Sequence, residues 1–185
     1  MRLILASASP RRKELIKKID GLQVEIVPSG AEEKTNCTDP ISYATALASL
    51  KAQEVYNRTG GVVLGADTVV VLDGEILGKP RTAAEADEMF HRLCGRTHEV
   101  VTGLCIIGEG HKVTDAEVSY VTFGEYDANI IEAYIGSGAP FDKAGGYGIQ
   151  DEALSPIVKN VKGDLDNIIG LPVQKVEKLL KQFRR

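Results

Sequence analysis

The chain has 185 residues, 43% hydrophobic and 26% charged, and its 22 Lys plus Arg against 26 Asp plus Glu give a formal charge of −4. That length can bury a real core in one large or two small domains. The acidic balance argues against a general nucleic-acid binder, so any anionic ligand must meet a local cluster of cations.

Arg2 to Leu5 forms a short apolar run, a first strand, and the small residues Ala6-Ser7-Ala8-Ser9 follow it. Ser9 suits an N-cap with Pro10 at the first helical position, and Leu15, Ile16 and Ile19 give that helix its apolar face. Val24, Ile26 and Val27 suggest a second strand. Asp39-Pro40 opens another helix whose inner face carries Ala44, Leu47, Ala48 and Val55, and Lys51 falls on that same face. Val62 to Leu64 reads as a strand that runs into Gly65-Ala66-Asp67, and Thr68 to Leu72 continues it to a hairpin signal at Asp73-Gly74. Thr82 and Glu85 have capping-box spacing before a helix through Met89, Phe90 and Leu93, which Gly95 can end. Glu99 to Ile107 and Val113 to Phe123 are β-rich, Asp127 to Ile135 is a short helix, and Phe141 to Gln150 is glycine-rich. Pro172 opens a last helix with Val173, Val176, Leu180 and Phe183 on one face. Interleaved helices and hairpins predict an α/β fold with a mixed, twisted sheet and flanking helices. No linker divides residues 1–185, so one domain with two lobes and a cleft is expected.

Cys37, Cys94 and Cys105 match no zinc or disulfide spacing and read as free thiols in a reducing compartment. The N-terminal apolar run is too short for a signal peptide, and no later run approaches the ~18 residues a membrane span needs. A cytoplasmic protein is expected, without membrane or nucleic-acid partners. The sequence leaves a homodimer open.

Several segments could carry chemistry. Ser7-Ala8-Ser9-Pro10-Arg11-Arg12 joins a strand to a helix N-terminus, where free N–H groups and the helix dipole favour an anion. Arginines in a first helical turn oppose that dipole, a cost that a bound polyanion would reverse; the alternative is a solvated surface turn. Lys51 either snorkels to water from its apolar face or lines a cleft. Asp67 lies between Val62-Val63-Leu64 and Val69-Val70-Val71, where a carboxylate is costly to bury unless a divalent cation or a lysine partners it; the alternative is a polar strand-edge position or a bulge. Lys79 is held on the rigid Gly78-Lys79-Pro80 corner, the alternative being an ordinary surface lysine in a turn, and Asp142 to Gln150 permits close backbone approach to a ligand. His91, His98 and His111 have no metal-ligand spacing and are expected to be structural or exposed. Phosphoryl or pyrophosphoryl chemistry would employ these cations, this aspartate and this loop on one ligand, with a carboxylate-held metal to neutralise phosphate.

Taken together, these segments resemble the Maf family of nucleotide pyrophosphatases. The matching residues are Leu3 to Arg12 with Glu14-Leu15, Glu32-Glu33, Leu47-Ala48, Lys51-Ala52, Gly65 to Val70, Gly78-Lys79-Pro80, Gly95-Arg96-Thr97-His98 through Val101-Thr102-Gly103, Asp142 to Gln150, and Gly163-Asp164 with Asn167 to Pro172. The resemblance implies a fold like that of inosine-triphosphate pyrophosphatases. It also implies hydrolysis of a nucleoside triphosphate to the monophosphate and pyrophosphate, with Mg²⁺ or Mn²⁺. The Asp67-Thr68-Val69-Val70 form of the motif, with Gln150, is similar to the branch acting on dTTP and UTP. That branch ties Arg11, Thr68 and Gln150 to base choice and makes Asp67 the proton acceptor. On this reading Asp67 and Glu33 hold the metal with phosphate oxygens. Arg12, Lys51 and Lys79 bind the triphosphate beside Ser7. Thr68 is the candidate to orient the Gln150 amide, and Arg11 either braces the loop or touches the ligand. The rivals are a 7-methyl-GTP pyrophosphatase of the same family and a non-catalytic regulator of cell division. Two departures from the family pattern stand out: Asp151-Glu152 follows Gln150 where a glycine is usual, and Leu165 follows Gly163-Asp164 where an aromatic is common.

Overall fold

A computed structural model describes residues 1–183. In chain order it forms β1 (Arg2–Leu5), α1 (Pro10–Ile16), β2 (Gln23–Ile26), α2 (Pro40–Thr59), β3 (Val63–Leu72), β4 (Glu75–Leu77), α3 (Ala83–Leu93), β5 (Thr97–Gly108), β6 (His111–Phe123), α4 (Ala128–Gly136), β7 (Val158–Lys162), α5 (Leu165–Ile169) and α6 (Val173–Leu180). Short 3₁₀ turns carry the chain between α4 and β7. One seven-stranded sheet has the order β2-β1-β3-β5-β6-β7, with β4 hairpinned onto β3. β1 runs parallel to β2 and β3, and every other pairing is antiparallel. The mixed sheet expected from the sequence is therefore observed.

Local chemistry accounts for the element ends. The Ser9 hydroxyl accepts from the Arg12 N–H at the start of α1, and Asp39 accepts from Ser42 at the start of α2. Asp73 and Gly74 both adopt positive φ, 51° and 79°, as the tight β3–β4 turn requires. Thr82 caps α3 by accepting from Glu85 N–H at 3.1 Å. The Glu85 carboxylate answers to Arg81 N–H at 2.7 Å, one residue earlier than in a reciprocal capping box.

β3 is continuous through Asp67, and its alternation assigns successive residues to opposite faces. Val63 packs with Ala48, Ala52 and Val55 of α2, and Val69 and Val71 pack with Ala44 of the same helix. On the other face, Leu64 and Ala66 join a core with Leu3, Leu5, Ile16 and the α6 residues Val176 and Leu180. Val70 and Leu72 join a separate core with Phe90, Phe123, Ile131 and Tyr134. The sheet thus carries two lobes on one face, with Thr68 at the gap between them.

β7 and α5 escaped the sequence reading. β7 is Val158-Lys159-Asn160-Val161-Lys162, a polar strand at the sheet edge with no apolar alternation to mark it. α5 has five residues, too few to show a helical period.

Candidate active site

A cleft of about 850 Å³ opens along β3, where the two lobes part. Its floor is built by a close approach of helix to sheet. Asp67 pairs in register with Gly103 of β5, and Gly65 lies two residues earlier on the same face. A Cβ on Gly65 would lie 2.2 Å from the Ala48 carbonyl oxygen, and one on Gly103 would lie 2.3 Å from the Ala44 carbonyl carbon. Only glycine lets α2 lie this near the strands. That proximity carries Lys51 to Asp67.

The Lys51 ammonium donates to Asp67 Oδ1 at 2.6 Å and is 3.0 Å from Glu33 Oε1. Both Lys51 and Asp67 are nearly buried, with side-chain exposures of 12% and 10%. The partner that a carboxylate on this apolar strand requires is thus the lysine of the facing helix. Glu33, on the β2–α2 connection, is half-exposed at 54% and enters the same cluster from the solvent side.

The opposite face of β3 organises Arg12. Its Nε donates to the Gly170 carbonyl at 2.8 Å, Nη2 to Thr68 Oγ1 at 3.0 Å, and Nη1 to Ser7 Oγ at 3.4 Å. Thr68 Oγ1 is also 2.8 Å from Thr102 Oγ1, whose hydroxyl donates to the Asn167 carbonyl. Burial pushes the guanidinium below its ordinary pKa, and the charge of Asp67 pushes it back. A base this strong remains a cation at neutral pH. Three of its five N–H donors are held by protein, so its plane is fixed before any ligand arrives.

Lys79 lines the cleft from an exposed corner, held in place by buried Pro80. It has no ion pair among the described residues. The Gly78 carbonyl of that corner accepts from Gly145 N–H at 2.9 Å, tying it to the glycine-rich loop. Gln150, on the same loop, is exposed and lines the cleft. Arg11 lies 3.7 Å from Asp142 Oδ2 and so braces this loop.

The sequence-derived set therefore converges: Arg11, Arg12, Glu33, Lys51, Asp67, Thr68, Lys79 and Gln150 line one cleft, and Ser7 supports it through Arg12. One detail differs. The Thr68 hydroxyl bonds to Arg12 and Thr102, not to Gln150. Strand alternation explains this, because Thr68 points at the face where α1 and the Asn167–Gly170 segment pack.

Lys143 and the Asn167 support went unassigned as site residues in the sequence. Lys143 lines the cleft with a 12%-exposed side chain and bonds to the Ala139 carbonyl and Asp142. Asn167, fully buried, donates to the Val100 carbonyl and Ser119 Oγ and so fixes the turn that presents Gly170 to Arg12. Both lie in segments quoted above, but nothing in their spacing announces these contacts. No histidine lines the cleft: His98 is buried against Tyr147, His91 stacks on Tyr126, and His111 is exposed.

Among the described residues, no cluster of three or more His, Cys, Asp or Glu side chains is arranged to hold a metal. Asp67 and Glu33 offer two carboxylates that already converge on one cation, the Lys51 ammonium. A hard divalent ion that draws its other ligands from phosphate and water fits such a pair.

The family described as Maf-like protein matches residues 2–183. A protein from Thermococcus onnurineus named dTTP/UTP pyrophosphatase is 49% identical over 177 residues, covering 96% of this chain and 95% of its own. One of the same name from Bacillus cereus is 46% identical over 184 residues, covering 98% and 90%. Among solved structures, the Staphylococcus aureus Ham1 protein superposes over the full length of both chains with a TM-score of 0.61 at 12% identity, a likeness of fold.

Proposed function

Because the chain belongs to the Maf family, we propose that it is a nucleoside-triphosphate pyrophosphatase acting on dTTP and UTP, cutting between the α- and β-phosphates. The observation that carries this reading is the cleft itself. A carboxylate, two lysines and a braced arginine meet around a space large enough for a nucleotide, in a chain that is acidic overall.

Arg12, Lys51 and Lys79 bind the triphosphate and stabilise the charge that builds on it. Lys51 exchanges part of its hold on Asp67 and Glu33 for phosphate oxygens. Asp67 orients a water molecule and accepts its proton as the oxygen attacks phosphorus. The α–β anhydride bond breaks, and its bridging oxygen leaves with one product; the products are the nucleoside monophosphate and pyrophosphate. Asp67 and Glu33 would hold a Mg²⁺ or Mn²⁺ ion, which would supply neutralisation of the phosphate charge. Gln150 reads the base, since an amide can pair with the carbonyl and N–H edge that uracil and thymine share. Arg11 acts on that reading indirectly by bracing the loop through Asp142. Free cysteines and the small-molecule substrate accord with a cytoplasmic enzyme without membrane or nucleic-acid partners.

The test is product analysis. With Mg²⁺ or Mn²⁺ the pure protein should convert dTTP or UTP to the monophosphate and pyrophosphate, and EDTA should stop it. Release of the diphosphate and orthophosphate would refute the assigned bond cleavage.

A further inference from the structure

Gln150 occupies the third position of a tight turn. Asp151 N–H donates to the Gly148 carbonyl at 3.0 Å and closes residues 148–151. A single hydroxyl outside the loop pins both ends of that turn. Tyr134 Oη accepts from Gly148 N–H at 3.2 Å and donates to the Asp151 carboxylate. Tyr134 belongs to α4 and is buried in the core against Phe90, with ring centroids 5.9 Å apart. Burial, reinforced by the Asp151 charge, raises its pKa, so the hydroxyl remains a phenol that can donate. A Cβ on Gly148 would lie 2.6 Å from Asp151 Oδ2, so a larger residue there would push that carboxylate aside. Lys143 Nζ stands 3.8 Å from the same carboxylate oxygen and is itself tied to the Ala139 carbonyl at 2.6 Å.

From this arrangement we infer that Asp151, through Tyr134, is a positioning residue for base discrimination: the pair fixes the turn that presents Gln150 to the nucleobase. The inference rests on the reading of Gln150 as the base-contacting residue. Neither Asp151 nor Tyr134 touches the triphosphate cluster. A loosened turn leaves Asp67, Lys51 and Arg12 in place while the amide samples several orientations. The entropic cost of ordering it then falls on binding, and discrimination weakens because a mobile amide can meet either donor or acceptor edges.

The experiment compares Asp151→Ala, Asp151→Asn and Gln150→Ala with the parent, using UTP and GTP. Asp151→Ala should raise KM for UTP about tenfold, the equivalent of one or two lost hydrogen bonds. Its kcat should fall by less than about threefold, because the charged cluster is untouched. The UTP-to-GTP ratio of kcat/KM should drop toward that of Gln150→Ala. Asp151→Asn keeps an acceptor for the Tyr134 hydroxyl and should restore most of the ratio. If Gln150→Ala collapses the ratio while Asp151→Ala leaves it at the parent value, the positioning role is wrong and the base reading stands. If Gln150→Ala leaves the ratio unchanged, the base reading falls and this inference falls with it. A kcat loss in Asp151→Ala that outweighs the KM rise, or an Asp151→Asn as impaired as Asp151→Ala, would likewise overturn it.

Discussion

The charged floor of the cleft and the glycine-rich loop above it are held by different means. Asp67 and Thr68 sit mid-strand in β3, where β5 pairs with nine consecutive residues from Val63 to Val71. Lys51 is fixed by a twenty-residue helix packed on glycines. The loop between α4 and β7 has no strand ladder; its backbone is secured by short turns and by side chains such as Tyr134, Lys143 and Tyr147. A backbone ladder resists local change because many cooperative bonds must fail together, whereas a side-chain tether fails with one substitution. On the proposed reading, the chemistry rests on the ladder and base discrimination rests on the tethered loop.

The sharpest break in this comparison is Asp67→Asn. The amide keeps the shape and the strand but cannot accept a proton, so kcat should fall on the order of 10²-fold or more. The thermal unfolding midpoint should change far less than activity does, since the β3 ladder is intact. Comparable turnover in a folded variant would remove Asp67 from the mechanism. The loop variants above should behave in the opposite way, with effects concentrated in KM.

Gly103→Ala tests whether the floor depends on the close approach of α2. The new methyl would lie 2.3 Å from the Ala44 carbonyl carbon and 2.4 Å from Thr45 N, backbone atoms that cannot turn aside. The helix must lift, at a cost of about 3 kcal/mol, or roughly 10 °C in Tm for a chain of this size. Because the same helix carries Lys51, kcat should fall along with stability. A Tm within a few degrees of the parent would mean that α2 is not seated by this glycine.

How much of this was legible in the sequence follows the same division. Caps and turns announced themselves through single residues: Ser9-Pro10, Asp39-Pro40 and Asp73-Gly74 each sit where the backbone needs them. The meeting of Lys51 with Asp67 was half-visible. Helical period put Lys51 on the inner face and apolar neighbours made Asp67 need a partner, but only the fold brings them to 2.6 Å. The link from Thr68 to Gln150 was misjudged because strand alternation directs Thr68 toward Arg12. The Tyr134–Asp151 contact joins residues 17 apart across irregular backbone, and no periodicity encodes such a pair. β7 was invisible for a related reason: its Lys-Asn-Val-Lys pattern serves a solvated edge and not a core.

The seam between the two regions offers the smallest and most specific effect. His98 lies on β5, 1% exposed, and its Nε2 is 2.6 Å from the Tyr147 hydroxyl of the loop. Its Nδ1 has no hydrogen-bond partner among the described residues. Burial lowers the His98 pKa from 6.5 to about 4, so the native state holds a neutral ring where the unfolded chain takes up a proton. Between those two values the unfolded state binds more protons, and stability must fall as the pH drops from 6.5 toward 4. One such group contributes at most about 1.4 kcal/mol per pH unit within that window and nothing above it. His98→Phe keeps an aromatic ring beside Phe123 and Tyr147 but cannot be protonated. The variant should lose some stability at pH 7.5, because the Tyr147 hydroxyl is left without its partner. Its stability should then decline less steeply than the parent's between pH 6.5 and 4.5 in urea titrations. Parallel pH profiles for parent and variant would show that His98 does not couple β5 to the loop through its protonation state.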